Sequence, residues 1–345
     1  MLVEPINPKI VTILTTYKCS AACKECCFQC TPKITVRLSY EEIESFILEA
    51  HSNFKDSLEL CVFTGGECTL LGEDLFKAIE LVKNLGMKSR IVTNASWAKT
   101  KKAADRMIDR LLESGLNEIN YSTGDNHQEW VPFESIINAC EASCNRGLIT
   151  LVSIESFADS TFSYKDFVNN NKIKSIKEKT GCLSEVKASW ISLKNQKTIE
   201  KSGRELDETY NFQPCESVLN FLGINPLGNI INCCGLTMEY IPSMKAGKYQ
   251  KGLLKEMYYN NFNDFMKIWL KVDGPEKILY YAYQKNKNLE KYIKSIVHPC
   301  QACVIIYKNP EVRETLNNYY KEIVTSTIIK YENMRNSYKI TTSDC

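Results

Sequence analysis

Over its first two thirds the chain alternates short runs of β-branched and aromatic residues with longer stretches whose apolar positions recur every three or four residues. The first period is that of a strand and the second that of a helix lying on a sheet. Strands are predicted at Val11–Leu14, Leu58–Phe63, Ser89–Thr93, Glu118–Ser122, Leu148–Ile154 and Val186–Ser192. Ser39, with Glu42 three residues on, opens the first helix as a capping box, and further helices are predicted near Asp74–Leu85, Lys101–Ser114 and Phe133–Asn145. Consecutive strand–helix pairs make a parallel sheet, so the fold class is α/β, a partial (β/α)6 barrel of parallel strands. Such sheets bind ligands at the carboxyl ends of their strands, which directs attention to the loops after strands one, two and four.

Beyond about Leu206 the rhythm changes. A hairpin is predicted to turn at Asn225-Pro226-Leu227-Gly228, and Lys-, Tyr- and Asn-rich helical stretches follow it. At about 150 residues per domain, a chain of 345 fits one large unit, 1–205, and a smaller one, 206–345. The basic stretches Lys245–Lys255 and Lys285–Lys294 read as solvated helical faces.

Composition narrows the function. With 44% hydrophobic and 24% charged residues the chain is that of a folded body, and 43 basic against 41 acidic residues, net charge +2, give no global electrostatic reason to bind nucleic acid or an anionic membrane. No apolar run is long enough to span a bilayer, and Met1–Lys9 has the character of no targeting signal, so a cytoplasmic location is expected. There, 16 cysteines are more than structural disulfides would explain, and metal or redox chemistry becomes the leading reading.

Five of those thiols, Cys19, Cys23, Cys26, Cys27 and Cys30, fall within twelve residues directly after strand one. Thiolates are soft ligands for iron–sulfur clusters and zinc. A structural zinc site shows paired Cys-x2-Cys units, whereas Cys19-x3-Cys23-x2-Cys26 offers three ligands, which leaves one iron of a four-iron cluster open. For Cys27 and Cys30 a buried or substrate-lining thiol is as good a reading as any catalytic part. Strand two ends in Thr64-Gly65-Gly66-Glu67, where glycines let backbone approach a ligand and a carboxylate can receive an ammonium group. The loops Thr93-Asn94-Ala95-Ser96-Trp97 and Ser122-Thr123-Gly124-Asp125-Asn126-His127 supply small polar groups suited to a nucleoside's sugar, although Asn94 equally suits a turn. His127 reads as a structural hydrogen-bonder rather than a base.

A second set, Cys215, Cys233, Cys234, Cys300 and Cys303, lies in the terminal unit. Four of these five could hold another cluster, and a structural zinc site is the rival reading. In extended backbone successive side chains point to opposite faces, so if one of Cys233 and Cys234 is a ligand its neighbour points away and stays free.

The spacing of Cys19, Cys23 and Cys26 resembles the cluster motif of radical S-adenosylmethionine enzymes. The resemblance implies a [4Fe-4S] cluster on those three thiols and S-adenosyl-L-methionine at the open iron, with Glu67 binding the methionyl amine and Ser122 and Asp125 near the ribose or carboxylate. The aromatic residue usual before the last cysteine is missing; Cys27 and Phe28 follow it instead. The second thiol set resembles the SPASM or twitch domains of peptide-modifying members, implying a second [4Fe-4S] auxiliary cluster on Cys215, Cys233, Cys300 and Cys303. As an ordered set over about Val11–Tyr307, the segments are similar to peptide epimerases of the epipeptide type. That likeness implies Cys233 as ligand and Cys234 as catalytic hydrogen donor, although Leu219 stands where those enzymes place an aspartate. The implied reaction abstracts a peptide Cα hydrogen and returns one from Cys234 to the opposite face, giving L-to-D epimerisation, with the auxiliary cluster helping to restore the thiol. The implied partners are a precursor peptide, entering a cleft between the units, and a one-electron reductant such as flavodoxin or ferredoxin. Two alternatives stand beside it: a peptide cyclase forming a thioether or C–C crosslink, and a non-catalytic zinc or iron–sulfur module.

Overall fold

The structure, a computed structural model, describes residues 2–157, 160–191 and 203–343. Its first six strands are β1 (Ile10–Leu14), β2 (Leu60–Thr64), β3 (Lys88–Thr93), β4 (Glu118–Thr123), β5 (Ile149–Ser156) and β6 (Leu183–Ser189). All six expected strands are present and pair in parallel, with ends that coincide or differ by at most three residues. β6 begins at Leu183 because that side chain reaches the core, 2% exposed, and the expected end at Ser192 lies outside the described residues. The helices between them include α1 (Tyr40–Phe54), α2 (Glu73–Asn84), α3 (Lys101–Ser114), α4 (Asp125–Gln128) and α5 (Phe133–Cys144). The capping box forms as read: Ser39 Oγ accepts from Glu42 N at 3.2 Å while Glu42 Oε2 accepts from Ser39 N at 2.8 Å. α1 then buries Ile43, Phe46, Ile47, Ala50 and Phe54, the stripe expected of a helix covering a sheet.

The terminal unit does not build a sheet of its own. Its hairpin, β7 (Phe221–Ile224) and β8 (Asn229–Ile231), turns at the predicted residues, and β7 pairs in parallel with β1, matching Ile10 to Phe221 and Ile13 to Ile224. With β9 (Lys245–Lys248) the result is one nine-stranded sheet in the order β6-β5-β4-β3-β2-β1-β7-β8-β9. The first of the two basic stretches is therefore corrected: Lys245–Lys248 is a strand bonded to β8, and helix resumes only at Leu254–Tyr259. Gly247 at φ +99° breaks any helix through the segment, and the pairing of β9 with β8 shifts register there, Asn229 matching Lys248 but Ile231 matching Lys245. Lys285–Lys294 is a helix end followed by the 3-10 turn Lys287–Tyr292. One hydrophobic cluster runs from Val11 and Ile13 of β1 through to Ile306 and Tyr331, so both units share a core. Among the described residues, no helix is long and apolar enough to cross a membrane.

Candidate functional site

At the carboxyl end of β1 the chain leaves the sheet into the cysteine loop, and backbone contacts fix its base. Gly66 N donates to Thr16 O at 2.7 Å, Glu67 N to Lys18 O at 2.9 Å and Cys19 N to Thr31 O at 3.2 Å. The two glycines are required by this approach. A Cβ on Gly65, whose φ is +128°, would lie 2.6 Å from Thr16 O, and one on Gly66 would lie 2.1 Å from Lys18 O. Above them a cavity of about 290 Å³ is lined by Cys19, Cys23 and Cys26 together with Gly65, Gly66, Asn94 and Ser122.

The three thiols share one wall of this cavity. Asn94 Nδ2 reaches Cys19 Sγ at 3.5 Å, and burial pushes the Cys19 thiol up to about 11. A hydrogen bond from the Cys30 thiol holds Cys26 down to about 6, against burial. Cys30 is thereby pushed the other way, because losing its proton would break that bond beside another negative sulfur. Three soft donors on one wall of a cavity open to a ligand fit a four-iron cluster with a vacant corner. Among the described residues, no three Cys, His, Asp or Glu side chains are set to hold a single metal ion.

Two of the expected cofactor residues are held by protein donors. Glu67 is fully buried, and its carboxylate is taken up by Thr69 Oγ1 at 2.6 Å, Thr93 Oγ1 at 2.8 Å, Asn94 N at 2.9 Å and Thr69 N at 3.3 Å. Burial raises its pKa and these donors oppose the rise. It ties the end of β2 to the end of β3 and does not line the cavity; a buried carboxylate takes whatever donors surround it, and here they are protein. Asp125 is likewise occupied, accepting from Thr161 N at 2.7 Å, Thr161 Oγ1 at 2.8 Å and Phe162 N at 2.8 Å, and it too lies off the cavity wall.

In its neighbourhood the cavity presents His127, whose Nδ1 lies 2.7 Å from Oε2 of Glu155, a side chain 1% exposed. Gly124 makes room for that carboxylate, since a Cβ there would fall 1.9 Å from Glu155 Cγ. Trp190 meets the imidazole edge-on, ring centroids 5.1 Å apart. Sequence reading missed Glu155. The available signal was its place two residues after Ser153 on β5, since side chains two apart share a strand face and Ser153 lines the cavity.

The second thiol set gathers from three directions. The helix Phe265–Lys285 is kinked at Gly274, φ +75°, with Pro275 next. A Cβ at Gly274 would lie 1.8 Å from Gln213 O, so the segment leading to Cys215 crosses at the kink, and Cys215 N then donates to Leu270 O at 3.1 Å. β8 delivers Cys233. The first two turns of the helix Pro299–Lys308, capped by His298 Nδ1 accepting from Cys300 N at 3.0 Å, deliver Cys300 and Cys303. The sulfurs of Cys300 and Cys233 lie 3.0 and 3.2 Å from where a Cβ on Gly235 would stand, a cradle that any larger residue would fill.

Burial and the neighbouring sulfurs push the thiols of Cys233 and Cys303 up. Grouped buried thiols around a glycine cradle fit an iron–sulfur ligand set. Cys233 is buried and Cys234 half-buried; a hydrogen bond engages Cys234 with Ser217 while burial raises its thiol to about 11. Cys234 does not line the cavity; Cys27 does, with Leu236 of the terminal unit beside it.

Residues 13–166 match the Radical SAM superfamily model. YydG of Bacillus subtilis (strain 168), named as a peptide biosynthesis protein, is 27% identical over 135 residues. That match spans 39% of this chain and 42% of YydG, less than half the length of either. Among solved structures, native anSMEcpe with bound AdoMet and Kp18Cys peptide superposes with a TM-score of 0.53 at 14% identity, covering 90% of this chain and 99% of that one. Native anSMEcpe with bound AdoMet gives 0.52 at 13% identity with the same coverage. At such identities the likeness is one of fold, a partial barrel with a C-terminal extension.

Proposed function

Because residues 13–166 carry a radical S-adenosylmethionine domain, which implies a [4Fe-4S] cluster and S-adenosylmethionine, we propose that this chain modifies a ribosomally made peptide by L-to-D epimerisation. The observation that carries the reading is the shared cavity wall of Cys19, Cys23, Cys26, Gly65 and Gly66. The name of YydG supports a peptide as the substrate class. Cys19, Cys23 and Cys26 would hold the cluster, the backbone at Gly65 and Gly66 would admit the methionyl end of S-adenosylmethionine, and Asn94 and Ser122 would meet its polar groups. Held there, the cluster and S-adenosylmethionine would supply the chemistry of hydrogen-atom abstraction from a peptide Cα. Trp190 and Phe28 on the cavity wall exclude water from the reacting atoms. Cys234 returns a hydrogen atom from its S–H bond to the opposite face, and the thiol is restored by one electron and one proton. Residues 206–345 form the auxiliary-cluster unit, with Cys215, Cys233, Cys300 and Cys303 as ligands and a flavodoxin- or ferredoxin-type protein as electron source. Among the described residues β6 has a strand neighbour on one side only, which suits pairing with an extended peptide.

A crosslinking reading has one observation in its favour, the position of Cys234 off the cavity wall. Anaerobic reconstitution with peptides encoded beside this gene, run in heavy water, separates the two. Epimerisation adds one deuterium per event and yields D residues on hydrolysis. A product lighter by two hydrogens, without solvent deuterium, refutes epimerisation in favour of a crosslink.

A further inference from the structure

The kinked helix Phe265–Lys285 carries two lysines four residues apart and so on one face, Lys267 and Lys271, and both are buried, 5% and 1% exposed. Lysine is almost never fully buried without a partner. Lys267 has one: its Nζ donates to Asn261 Oδ1 at 2.6 Å, with Asp264 at 3.8 Å. Lys271 differs. Its Nζ is sealed from solvent and makes no hydrogen bond among the described residues, and the carboxylate it faces, Glu216 at 3.7 Å, belongs to a side chain 72% exposed.

Sulfur is what lies beside it. The residue before Lys271 accepts the backbone N–H of Cys215, and the Cys215 thiol is within electrostatic reach of the Lys271 ammonium. Cys233 stands in the same relation to Lys267. A sealed ammonium that makes no hydrogen bond, with an exposed carboxylate at 3.7 Å and the Cys215 thiol within reach, has the chemistry of a site that receives an anion.

We infer that Lys271, seconded by Lys267, is the built-in counter-charge of the auxiliary iron–sulfur cluster and makes that cluster easier to reduce. The inference rests on the reading that Cys215, Cys233, Cys300 and Cys303 hold a cluster. A cluster on four thiolates is an anion, and one-electron reduction, the electron coming from an external one-electron reductant, adds a further negative charge. A fixed ammonium in a low-dielectric surrounding stabilises the reduced form more than the oxidised one, so the midpoint potential rises. Lys271 ligates nothing; it is a positioning residue acting through charge.

The test uses the full-length protein, reconstituted anaerobically as wild type, Lys271→Met, Lys271→Arg and Lys267→Met. Iron and sulfide are counted, and the midpoint potential of the auxiliary cluster is read by EPR-monitored redox titration. Lys271→Met, which keeps the stem and removes the charge, is expected to move the midpoint to more negative values, while Lys271→Arg stays near wild type. Lys267→Met is expected to give a smaller shift, because Asn261 already shares that ammonium. Loss of the second cluster in Lys271→Met but not in Lys271→Arg also supports the inference, since the charge is then needed for assembly. Equal midpoints in wild type and Lys271→Met, with both clusters present, overturn it. Loss of the cluster in both Lys271 variants overturns it too, by marking a packing role. Wild-type protein that takes up iron and sulfide for one cluster only removes the auxiliary-cluster reading on which the inference stands, and that result is distinguishable because it is read without any substitution.

Discussion

The two thiol-rich regions are built in opposite ways. The first is local: Cys19, Cys23 and Cys26 come from one loop, and a cavity open to a ligand stands against them. The second is assembled from segments far apart in sequence: the stretch that crosses the kinked helix brings Cys215, the exit from a hairpin strand brings Cys233 and the start of another helix brings Cys300 and Cys303, with buried lysines at its back. A loop can present ligands while leaving a coordination position free. A set brought together from distant segments closes around what it holds, so the first region has the form of a site open to a ligand and the second that of an enclosed one.

The sharpest way to break this contrast is to remove one thiol from each region. Cys23→Ala is expected to abolish 5′-deoxyadenosine formation, a loss of at least about a thousandfold by analogy with removal of a reacting group, while the second iron content persists. Cys303→Ala is expected to lose the second iron content yet retain cleavage of S-adenosylmethionine. Iron, sulfide and 5′-deoxyadenosine assays read both. If each substitution empties both regions, they are not independent.

Glycines give the next test. Gly66→Ala places a methyl 2.1 Å from Lys18 O and Gly274→Ala places one 1.8 Å from Gln213 O, the latter at a left-handed φ. Each is expected to cost about 1–3 kcal/mol or more in chemical denaturation through strain and displaced backbone. Gly66→Ala should weaken binding of S-adenosylmethionine, and Gly274→Ala should instead lower the iron bound by the second region.

Glu67 sharpens the distinction between holding the loop and touching the ligand. Glu67→Ala strands the donors of Thr69, Thr93 and Asn94, and a loss of about 1–3 kcal/mol is expected in denaturant melts. The fall in cofactor affinity should follow that loss of stability, so a variant of full stability with abolished binding would return Glu67 to the ligand's side.

The smallest effect is one of pH. Burial would raise the carboxyl pKa of Asp273 on the kinked helix, but the ammonium groups of Lys330 at 2.8 Å and Lys277 at 2.9 Å win and hold it below the ordinary carboxylate range. A depressed folded-state pKa gives stability that is present above the unfolded value and disappears as pH falls through the folded one. Asp273→Asn should therefore cost about 1 kcal/mol at neutral pH, the exposed lysine partners being screened by water, and flatten the acid limb of the stability profile, leaving the first region's cavity unaffected. A wild-type acid limb in the variant would contradict the assignment.

These differences also mark what could be read beforehand. The six parallel strands and the Ser39–Glu42 cap were legible because they follow from periods of two and three to four residues and from one local motif. The first thiols were legible from spacing. Glu67 and Asp125 were read as ligand-facing because residue type and loop position carry no information on which donors tertiary packing brings near. Glu155 beside His127, the orphaned ammonium of Lys271 and the seating of β7 against β1 all arise between residues distant in sequence.

That seating has a mechanical consequence. β1, which ends in the first cysteine loop, and β7, whose hairpin partner leads to Cys233, are rungs of a single backbone ladder, and Tyr17 Oη donating to Glu239 Oε1 at 2.7 Å braces the two exits above it. β6 stands at the opposite rim of the sheet, five strands from β1, so displacement there need not stretch the span between the sulfur-bearing ends. Any passage of electrons across that span would thus keep one fixed length through every turnover.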